Sequence, residues 1–147
     1  MKLSTRSRYG LKAVVDIAAR GPDSCVSIKS MAERLALSEN YLEQLIIKLK
    51  KAGILNSIRG AGGGYSLSRP PQDITVGQIL NILEGSLYPS ECLGDSEASC
   101  GDGACNPCVT KSVWEKIYNS VTDVVESITV MDLVNDYKIL YGDDENV

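Results

Sequence analysis

Hydrophobic residues recur at helical spacing in three segments of the N-terminal half of the chain. In "IKSMAERLAL", which begins at Ile28, apolar residues stand at i, i+3, i+4 and i+7, and "ENYLEQLIIKLKKAG", which begins at Glu39, repeats that spacing. An earlier segment predicts a first helix that runs to about Arg20 and ends at Gly21-Pro22. Hydroxyl side chains that can cap the three predicted helices precede them at Ser4 or Thr5, Ser27 and Ser38.

The segment "ILNSIRGAGGGYSLSRPP" after the third helix predicts a β-hairpin. Ile54–Arg59 and Tyr65–Ser68 are the two short strands, and Gly60 to Gly64 form the turn between them, because glycine adopts positive φ at little cost. Two helices joined by a tight turn and followed by a hairpin is the element order of a winged helix-turn-helix. The predicted fold class is therefore mainly α with a small β wing.

Three further helical patterns follow in the C-terminal half. Thr75 can begin a helix in "VGQILNILEG", a long pattern runs from Val109 to about Ile128, and Thr129-x-x-Asp132 is a capping box for a short last helix. The long pattern has a wide apolar side, made of Val113, Trp114, Ile117, Val121, Val124, Val125 and Ile128. Such width favours pairing with a second copy of the chain, and the alternative is that this helix covers the first helix of its own chain.

These elements divide the chain into five predicted regions. They are a winged helix-turn-helix DNA-binding domain at 1–72, a connecting helix at 73–89, a cysteine-bearing loop at 90–108, a dimerisation helix with a short C-terminal helix at 109–140, and a disordered tail at 141–147.

Charge is distributed unevenly along the 147 residues. The net charge is −4, but residues 1–72 hold 12 Lys/Arg against 5 Asp/Glu, whereas residues 73–147 hold 3 against 14. A basic half joined to an acidic half indicates a polyanion-binding module that carries a separate regulatory or assembly module.

No apolar run approaches the roughly 20 residues of a bilayer span, and the N-terminus lacks the apolar stretch of a secretory signal. We therefore expect a cytoplasmic protein without a membrane partner.

The polar faces of the third helix provide the candidate contacts to duplex DNA. Gln44 can pair with adenine through both amide groups, whereas Glu43 can only accept hydrogen bonds and so suits the cytosine amino group. Arg59 stands at the mouth of the glycine turn, where an arginine can enter a narrow minor groove. The predicted DNA-binding residues are Arg8, Asn40, Tyr41, Glu43, Gln44, Lys48, Arg59, Gly60 and Gly62. Further phosphate contacts are expected from Arg6, Lys12, Lys50 and Lys51.

Two nucleotide-binding motifs are excluded for the glycine run. No Gly-Lys-Ser/Thr follows it and the next element is a strand, which excludes a P-loop. The third glycine of a dinucleotide-binding G-x-G-x-x-G would fall on Tyr65. With no catalytic set or cofactor motif elsewhere, we expect neither an enzyme nor a small-molecule substrate.

Four of the five cysteines fall in the loop, with the spacing Cys92-x7-Cys100-x4-Cys105-x2-Cys108, and the chain contains no histidine. Clustered cysteines in a reducing compartment are more often metal ligands or redox groups than structural disulfides. Only Cys105 and Cys108 form a tight knuckle of the kind that zinc sites use. The spacing alone leaves zinc, an iron–sulfur cluster and a thiol switch open.

The segments "YLEQLIIKLKKAGILNSIRGAGGGYSL" and "CVTKSVWEKI", with the cysteine loop between them, resemble the iron–sulfur cluster regulator (IscR) family of bacterial transcription factors. The resemblance extends from "RYGLKAVVDIA" to "ITVMDLV". It implies a homodimer with crossed long helices, one 2Fe–2S cluster in each subunit, and repression of cluster-biogenesis genes when the cluster is present. It also implies that Glu43 restricts which promoters the cluster-free form tolerates.

The resemblance implies a ligand set that this chain matches only in part. Cys92, Cys100 and Cys108 correspond to the three common ligands, but Lys111 stands where the best-known pattern has histidine. Cys105 is the candidate fourth ligand, and Asp95, Glu97 and Asp102 are the carboxylate alternatives. Related nitric-oxide sensors hold 4Fe–4S in a similar loop, and a cysteine-metabolism regulator of the same fold holds no cluster.

The resulting hypothesis is an iron–sulfur-sensing repressor that binds a palindromic duplex operator as a homodimer. The alternatives are a nitric-oxide or thiol-redox sensor of the same fold, and a DNA-binding protein stiffened by zinc.

Overall fold

The computed structural model describes residues 2–90, 93–94 and 108–142. Its elements are α1 (Thr5–Ala19), α2 (Ile28–Leu35), α3 (Glu39–Lys51), β1 (Leu55–Ile58), β2 (Gly64–Leu67), a short 3-10 helix (Pro71–Asp73), α4 (Val76–Glu84), α5 (Lys111–Ser127) and α6 (Val130–Tyr141). β1 and β2 pair antiparallel, with Leu55 opposite Leu67 and Ile58 opposite Gly64. The structure confirms the predicted fold class, which is mainly helical with a two-stranded wing.

Side-chain caps begin the first three helices, as the sequence predicts. The hydroxyls of Ser4, Ser27 and Ser38 accept hydrogen bonds from backbone N–H groups three residues later, at 3.4, 3.2 and 3.3 Å. Capping boxes begin α4 at Thr75 and α6 at Thr129. These caps satisfy backbone donors that would otherwise lack partners, and so they fix where each helix starts.

Several boundaries lie inside the predicted ones. α2 stops at Leu35 because Ala36 adopts a left-handed conformation with φ 53° and ψ 46°. α3 stops at Lys51, two residues before Gly53, which has φ 79°. α5 starts at Lys111 rather than at Val109. These shifts are at helix ends and leave the order of elements unchanged.

One hydrophobic core joins elements from both halves of the chain. Its buried residues come from α1, α2, α3 and the wing, with Ile79 and Leu83 of α4 and Val130 and Val134 of α6. A smaller cluster of Val76, Leu80 and Leu87 lies beside α5, where Tyr118, Val125 and Ile128 pack against it. α1 packs against both α4 and α6, whereas the long helix α5 packs on α4 and is not a main cover of α1.

α1 and α4 approach each other closely at a glycine. A Cβ atom on Gly10 would overlap Cδ1 of Leu83, so only glycine fits the observed helix separation. Near the end of the same interface, Glu84 Oε1 accepts hydrogen bonds from Ser7 Oγ at 2.5 Å and from Ser4 N at 2.7 Å. The hydrogen bond from Ser7 is the main cause that lowers the pKa of Glu84 below its usual range.

The junction between α5 and α6 is fastened to the start of α4. Val76 N donates to Ile128 O and Val130 N donates to Ile74 O, both at 2.8 Å. Thr75 Oγ1 also donates to Glu126 Oε2 at 2.6 Å. The C-terminal end of α5 is therefore held by main-chain and side-chain bonds.

No helix in the described part of the chain combines the length and hydrophobicity that a bilayer span requires.

Candidate nucleic-acid interface and cysteine segment

α3 presents a polar surface because its apolar residues are used in the core. Leu42, Leu45, Ile46 and Leu49 are each at most 2% exposed. The opposite side carries the predicted contacts Asn40, Glu43, Gln44 and Lys48, all of them exposed. Within the described residues, Glu43 forms no ion pair. The acceptor oxygens of Glu43 and the amide of Gln44 are thus free to meet base edges.

The turn between α2 and α3 is tight, as a helix-turn-helix requires. Ala36 N donates to Glu33 O at 3.3 Å, and Leu37 N donates to Ala32 O at 3.0 Å. The left-handed Ala36 makes this reversal within three residues, after which Ser38 begins α3. α2 and α3 are therefore joined by a short, hydrogen-bonded connection.

A buried ion pair fixes α2 against α1. Arg34 Nε donates to Asp16 Oδ1 at 2.9 Å, and Arg34 Nη2 donates to Asp16 Oδ2 at 2.6 Å. Asp16 is 6% exposed, and Arg20 lies 3.8 Å from the same carboxylate. Hydrogen bonding to Asp16 is the main cause that raises the pKa of Arg34 above its ordinary value. Such a bidentate contact sets helix orientation as well as distance.

Tyr41 has a packing role in addition to its predicted DNA contact. Its ring is half-buried and lies edge-on to Tyr9 of α1, with the ring centroids 6.2 Å apart. The ammonium of Lys12 lies 5.6 Å from the centroid of the Tyr9 ring. These contacts join the N-terminal turn of α3 to α1, close to the exposed Arg8.

The wing ends in a tip that has no side chains beyond Arg59 and Ala61. Gly60 and Gly62 have φ of 103° and 77°, and a Cβ at either position would meet nothing within 4 Å. Gly63 N donates to Gly60 O at 3.0 Å and closes the turn. Arg59 is exposed at the base of this tip, so its guanidinium and a bare backbone can approach a duplex together.

The base of the wing is anchored to the helical core. Tyr65 exchanges two backbone hydrogen bonds with Val26, at 2.8 and 2.9 Å, so the segment before α2 pairs with β2. Arg69 donates to Gln78 Oε1 at 2.8 Å and also contacts Gly53 O. Arg69 therefore has a structural role. All the predicted phosphate contacts are exposed: Arg6, Arg8, Lys12, Lys48, Lys50 and Lys51.

Of the four loop cysteines, only Cys108 lies in the described part of the chain. Cys92, Cys100 and Cys105 fall outside it, as do Asp95, Glu97 and Asp102. The described residues contain no group of three or more ligand-type side chains that could hold a metal. The predicted ligand set therefore stays a prediction. Cys25 lies next to the buried Val26 and is partly exposed.

Cys108 is placed at the entrance to α5. Its Sγ atom lies 3.2 Å from Thr110 Oγ1, and its carbonyl accepts from Lys111 N at 3.2 Å. The side chain of Thr110 is the main cause that lowers the pKa of the Cys108 thiol below its ordinary value, with a smaller contribution from its backbone N–H. This lowering increases the fraction of thiolate, which is the form that binds metals.

A family model described as "Rrf2: Iron-dependent Transcriptional regulator" matches residues 3–136. The chain belongs to the Rrf2 family. It is therefore a transcriptional regulator that binds DNA, and the sequence resemblance to IscR-type winged-helix regulators is confirmed.

Two kinds of Rrf2-family regulator are similar to this chain. CymR of Bacillus subtilis is 40% identical over 135 residues, which are 92% of this chain and 91% of CymR. Its structure, described as that of the global cysteine regulator, has a TM-score of 0.75 and 97% of its chain is covered. The structure of T. potens IscR is 45% identical, with 96% and 91% of the two chains covered and a TM-score of 0.75. IscR of Pectobacterium atrosepticum is 33% identical over 140 residues, which cover 95% of this chain and 83% of that relative.

Sequence reasoning did not identify the pair Asp16 and Arg34. The two residues are 18 positions apart, beyond any helical spacing. A signal was nonetheless present, because Asp16 interrupts the apolar face formed by Ala13, Val14 and Ile17. A charged residue on a face that becomes buried requires a partner. The packing of α1 against α2 decides which of the twelve Lys/Arg residues of the N-terminal half is the partner of Asp16.

Proposed function

We propose that this Rrf2-family regulator is an iron–sulfur-sensing repressor of cluster-biogenesis genes, which acts in the cytoplasm as a homodimer on palindromic duplex sites. One observation carries the proposal: four cysteines stand within residues 92–108, and the last of them lies three residues before the start of α5. The similarity to two IscR proteins supports the same conclusion.

The donor chemistry at Cys108 fits an iron–sulfur cluster. Thiolates are the preferred ligands of such clusters, and the lowered pKa of Cys108 favours that form. The proposed ligands are Cys92, Cys100 and Cys108, with Cys105 as the fourth and Asp95, Glu97 or Asp102 as alternatives. When bound, a cluster of the 2Fe–2S type would supply a strong link between the loop and the start of α5, and 4Fe–4S is the alternative type.

A contiguous set of contacts connects the helix that follows Cys108 to α2, the first helix of the helix-turn-helix. The far end of α5 is bonded to the start of α4 through Thr75 and Glu126. α4 packs tightly on α1 at Gly10, and α1 is joined to α2 by the ion pair of Asp16 and Arg34. A change in the position of α5 would therefore reach the helix-turn-helix through packed and hydrogen-bonded elements.

An exposed apolar stripe on α5 supports the homodimer. Val113, Ile117 and Val124 are 49%, 38% and 57% exposed, and their spacing puts them on one side of the helix. The adjacent side of α5 already packs on α4 through Tyr118 and Val125. A second copy related by a twofold axis would cover the exposed stripe and would present two α3 helices to a palindromic site.

The proposal is tested by purifying the full chain under strict exclusion of air. We expect visible charge-transfer absorption with iron and sulfide bound, and loss of that absorption on Cys→Ala substitution at 92, 100 and 108. Substitution of Cys105 tests the fourth ligand. Cys25→Ala is the matched control, because Cys25 lies between α1 and α2 and should leave the absorption unchanged.

DNA binding is then compared before and after the cluster is removed by a chelator. We expect the set of bound duplexes to change with the cluster, and Glu43→Ala to widen the set bound by the cluster-free form. Protein that remains colourless and iron-free after reconstitution would contradict cluster sensing. Binding by Glu43→Ala to an unchanged set of sites would contradict the proposed role of Glu43.

A second candidate function is a regulator that responds through its thiols without iron. The similarity to CymR, which is described as a global cysteine regulator, favours it. Iron-free protein whose DNA binding changes reversibly with thiol oxidation would support this candidate. Zinc bound at a stoichiometric level would instead indicate a stiffened loop with no redox response.

A further inference from the structure

Ile47 is an apolar residue on the otherwise polar outer surface of α3. It is 43% exposed, whereas the four core leucine and isoleucine residues of this helix are at most 2% exposed. The other exposed residues of α3 are all polar or charged: Glu39, Asn40, Glu43, Gln44, Lys48, Lys50 and Lys51. The core of the chain therefore does not account for Ile47.

The position of Ile47 puts it beside the two candidate base contacts. It follows Glu43 by four residues and Gln44 by three, and side chains at these spacings are neighbours with Cβ atoms about 5–6 Å apart. Isoleucine is branched at Cβ and has one strongly preferred rotamer in a helix, so its direction is well defined. Ile47 thus extends the surface formed by Glu43 and Gln44 by one turn.

The charge around Ile47 favours a duplex over a protein as the partner. Lys48, Lys50 and Lys51 follow it within one turn, and residues 1–72 carry 12 Lys/Arg against 5 Asp/Glu. The centre of a protein–protein interface is depleted in charged residues, whereas duplex binding depends on cations that contact phosphates. A single apolar side chain among cations and amides therefore matches the major groove, where thymine presents its C5-methyl group.

We infer that Ile47 contacts the C5-methyl group of a thymine in each half-site and so selects thymine at that position. The inference rests on the proposed binding of palindromic DNA, and it adds a specificity contact that is independent of the cluster. Burying about one methyl group corresponds to roughly four-fold in affinity. Gln44 can pair with an adjacent adenine, so the two residues together favour an A/T-containing step.

The test uses a duplex that the full-length protein selects from a random pool. Each thymine is replaced in turn by deoxyuridine, which lacks only the C5-methyl group. For the wild-type protein we expect deoxyuridine to weaken binding at one symmetry-related pair of thymine positions. The weakening should be about four-fold for each half-site that is changed. Ile47→Ala should bind the thymine and uracil duplexes equally at that pair, and Ile47→Val should give an intermediate loss.

Ile58→Ala is the matched control. Ile58 is an isoleucine of the wing that is 54% exposed. It is next to Arg59, whose expected contact is in the minor groove, whereas the C5-methyl group lies in the major groove. Ile58→Ala should therefore keep the wild-type difference between thymine and uracil. Melting curves of both variants should match wild type, because both side chains are on the surface.

Three outcomes would reject the inference while leaving the proposed function in place. They are a selected duplex with no uracil-sensitive thymine, a uracil effect of equal size in wild type and Ile47→Ala, and equal weakening by Ile47→Ala on every duplex. Failure of the full-length protein to select any duplex would overturn the proposed function and the inference with it.

Discussion

Arg34 Nη2 donates to Asp16 Oδ2 at 2.6 Å and joins the first helix of the helix-turn-helix to α1. Both side chains are largely buried, at 18% and 8% exposure. The pair has neighbours of its own, since Ser30 contacts the Arg34 guanidinium and Arg20 lies near the Asp16 carboxylate. Removing one partner would leave the other charge in a poorly solvated position.

Arg34→Ala is therefore expected to lower the free energy of unfolding by about 3 kcal/mol, the lower end of the range for a broken buried pair because Arg20 remains nearby. Chemical denaturation measures this loss in the free energy of unfolding. Lys111→Ala is the control, since Lys111 and Glu115 are at least half exposed and 4.0 Å apart and such pairs contribute at most about 1 kcal/mol. Equal losses in the free energy of unfolding for the two variants would contradict the larger contribution expected from the Arg34 pair.

The two helical glycines of α1 and α4 predict opposite tolerance to alanine. At Gly10 a new methyl group would overlap Leu83, which belongs to the packed core, so Gly10→Ala should destabilise the fold by about 1–3 kcal/mol. At Gly77 the obstacle is the Glu126 side chain, which can move at the cost of its exposed hydrogen bond with Thr75, and alanine offsets that cost by improving helix propensity by about 1 kcal/mol. Gly77→Ala should thus be close to neutral. Thermal unfolding of the two variants checks this prediction, together with a double-mutant cycle in which Gly10→Ala should cost less in a Leu83→Ala background than in wild type.

The pKa of Glu84 predicts a contribution to stability that disappears in acid. Hydrogen bonds from Ser7 and Ser4 lower this pKa in the folded state, so the contribution is complete above the unfolded value of about 4.3 and is lost as the pH falls through the lower folded value. Glu84→Gln should flatten the decrease in unfolding free energy between about pH 6 and pH 3. The same measurement on Asp132→Asn tests the α6 capping box separately, because the pKa of Asp132 is also lowered, by Thr129. An unchanged acid dependence in Glu84→Gln would contradict the prediction.

The exposed stripe of α5 predicts the effect of a charge on the proposed dimer. Ile117 stands between Val113 and Val124 on this stripe, so Ile117→Glu would bring two carboxylates together across a twofold axis and should convert dimer to monomer in sedimentation equilibrium. Ile139→Glu on α6 is the control, because Ile139 is 82% exposed outside the stripe. An undiminished dimer in Ile117→Glu would exclude this side of α5 as the interface.

The elements of the N-terminal half could be predicted from the sequence because each depends on local chemistry. Ser27 and Ser38 begin helices through hydrogen bonds that span three residues, and the glycines of the wing tip adopt the positive φ that only glycine takes readily. The end of α2 was predicted two residues late, since Ala36 is a rare non-glycine residue in the left-handed conformation.

Contacts between distant segments could not be predicted in the same way. Asp16 carries no local mark of its partner Arg34, and Tyr41 shows no sign in the sequence that its ring packs on Tyr9. The packing of α6 along α1 could not be predicted either. The wide apolar side of the long helix had offered that helix as the alternative cover of α1. The ligand set at Cys92, Cys100 and Cys105 stays a prediction, because Cys108 is the one loop cysteine in the described part of the chain.

The return of α6 to the α1 of its own chain gives each protomer a complete core. In the proposed dimer, folded protomers would then exchange between dimers. Mixed dimers would form wherever two versions of the gene are expressed. A variant with an intact α5 but a damaged wing would occupy one half of many such pairs. Its phenotype would be dominant, whereas a variant damaged at Ile117 would be recessive.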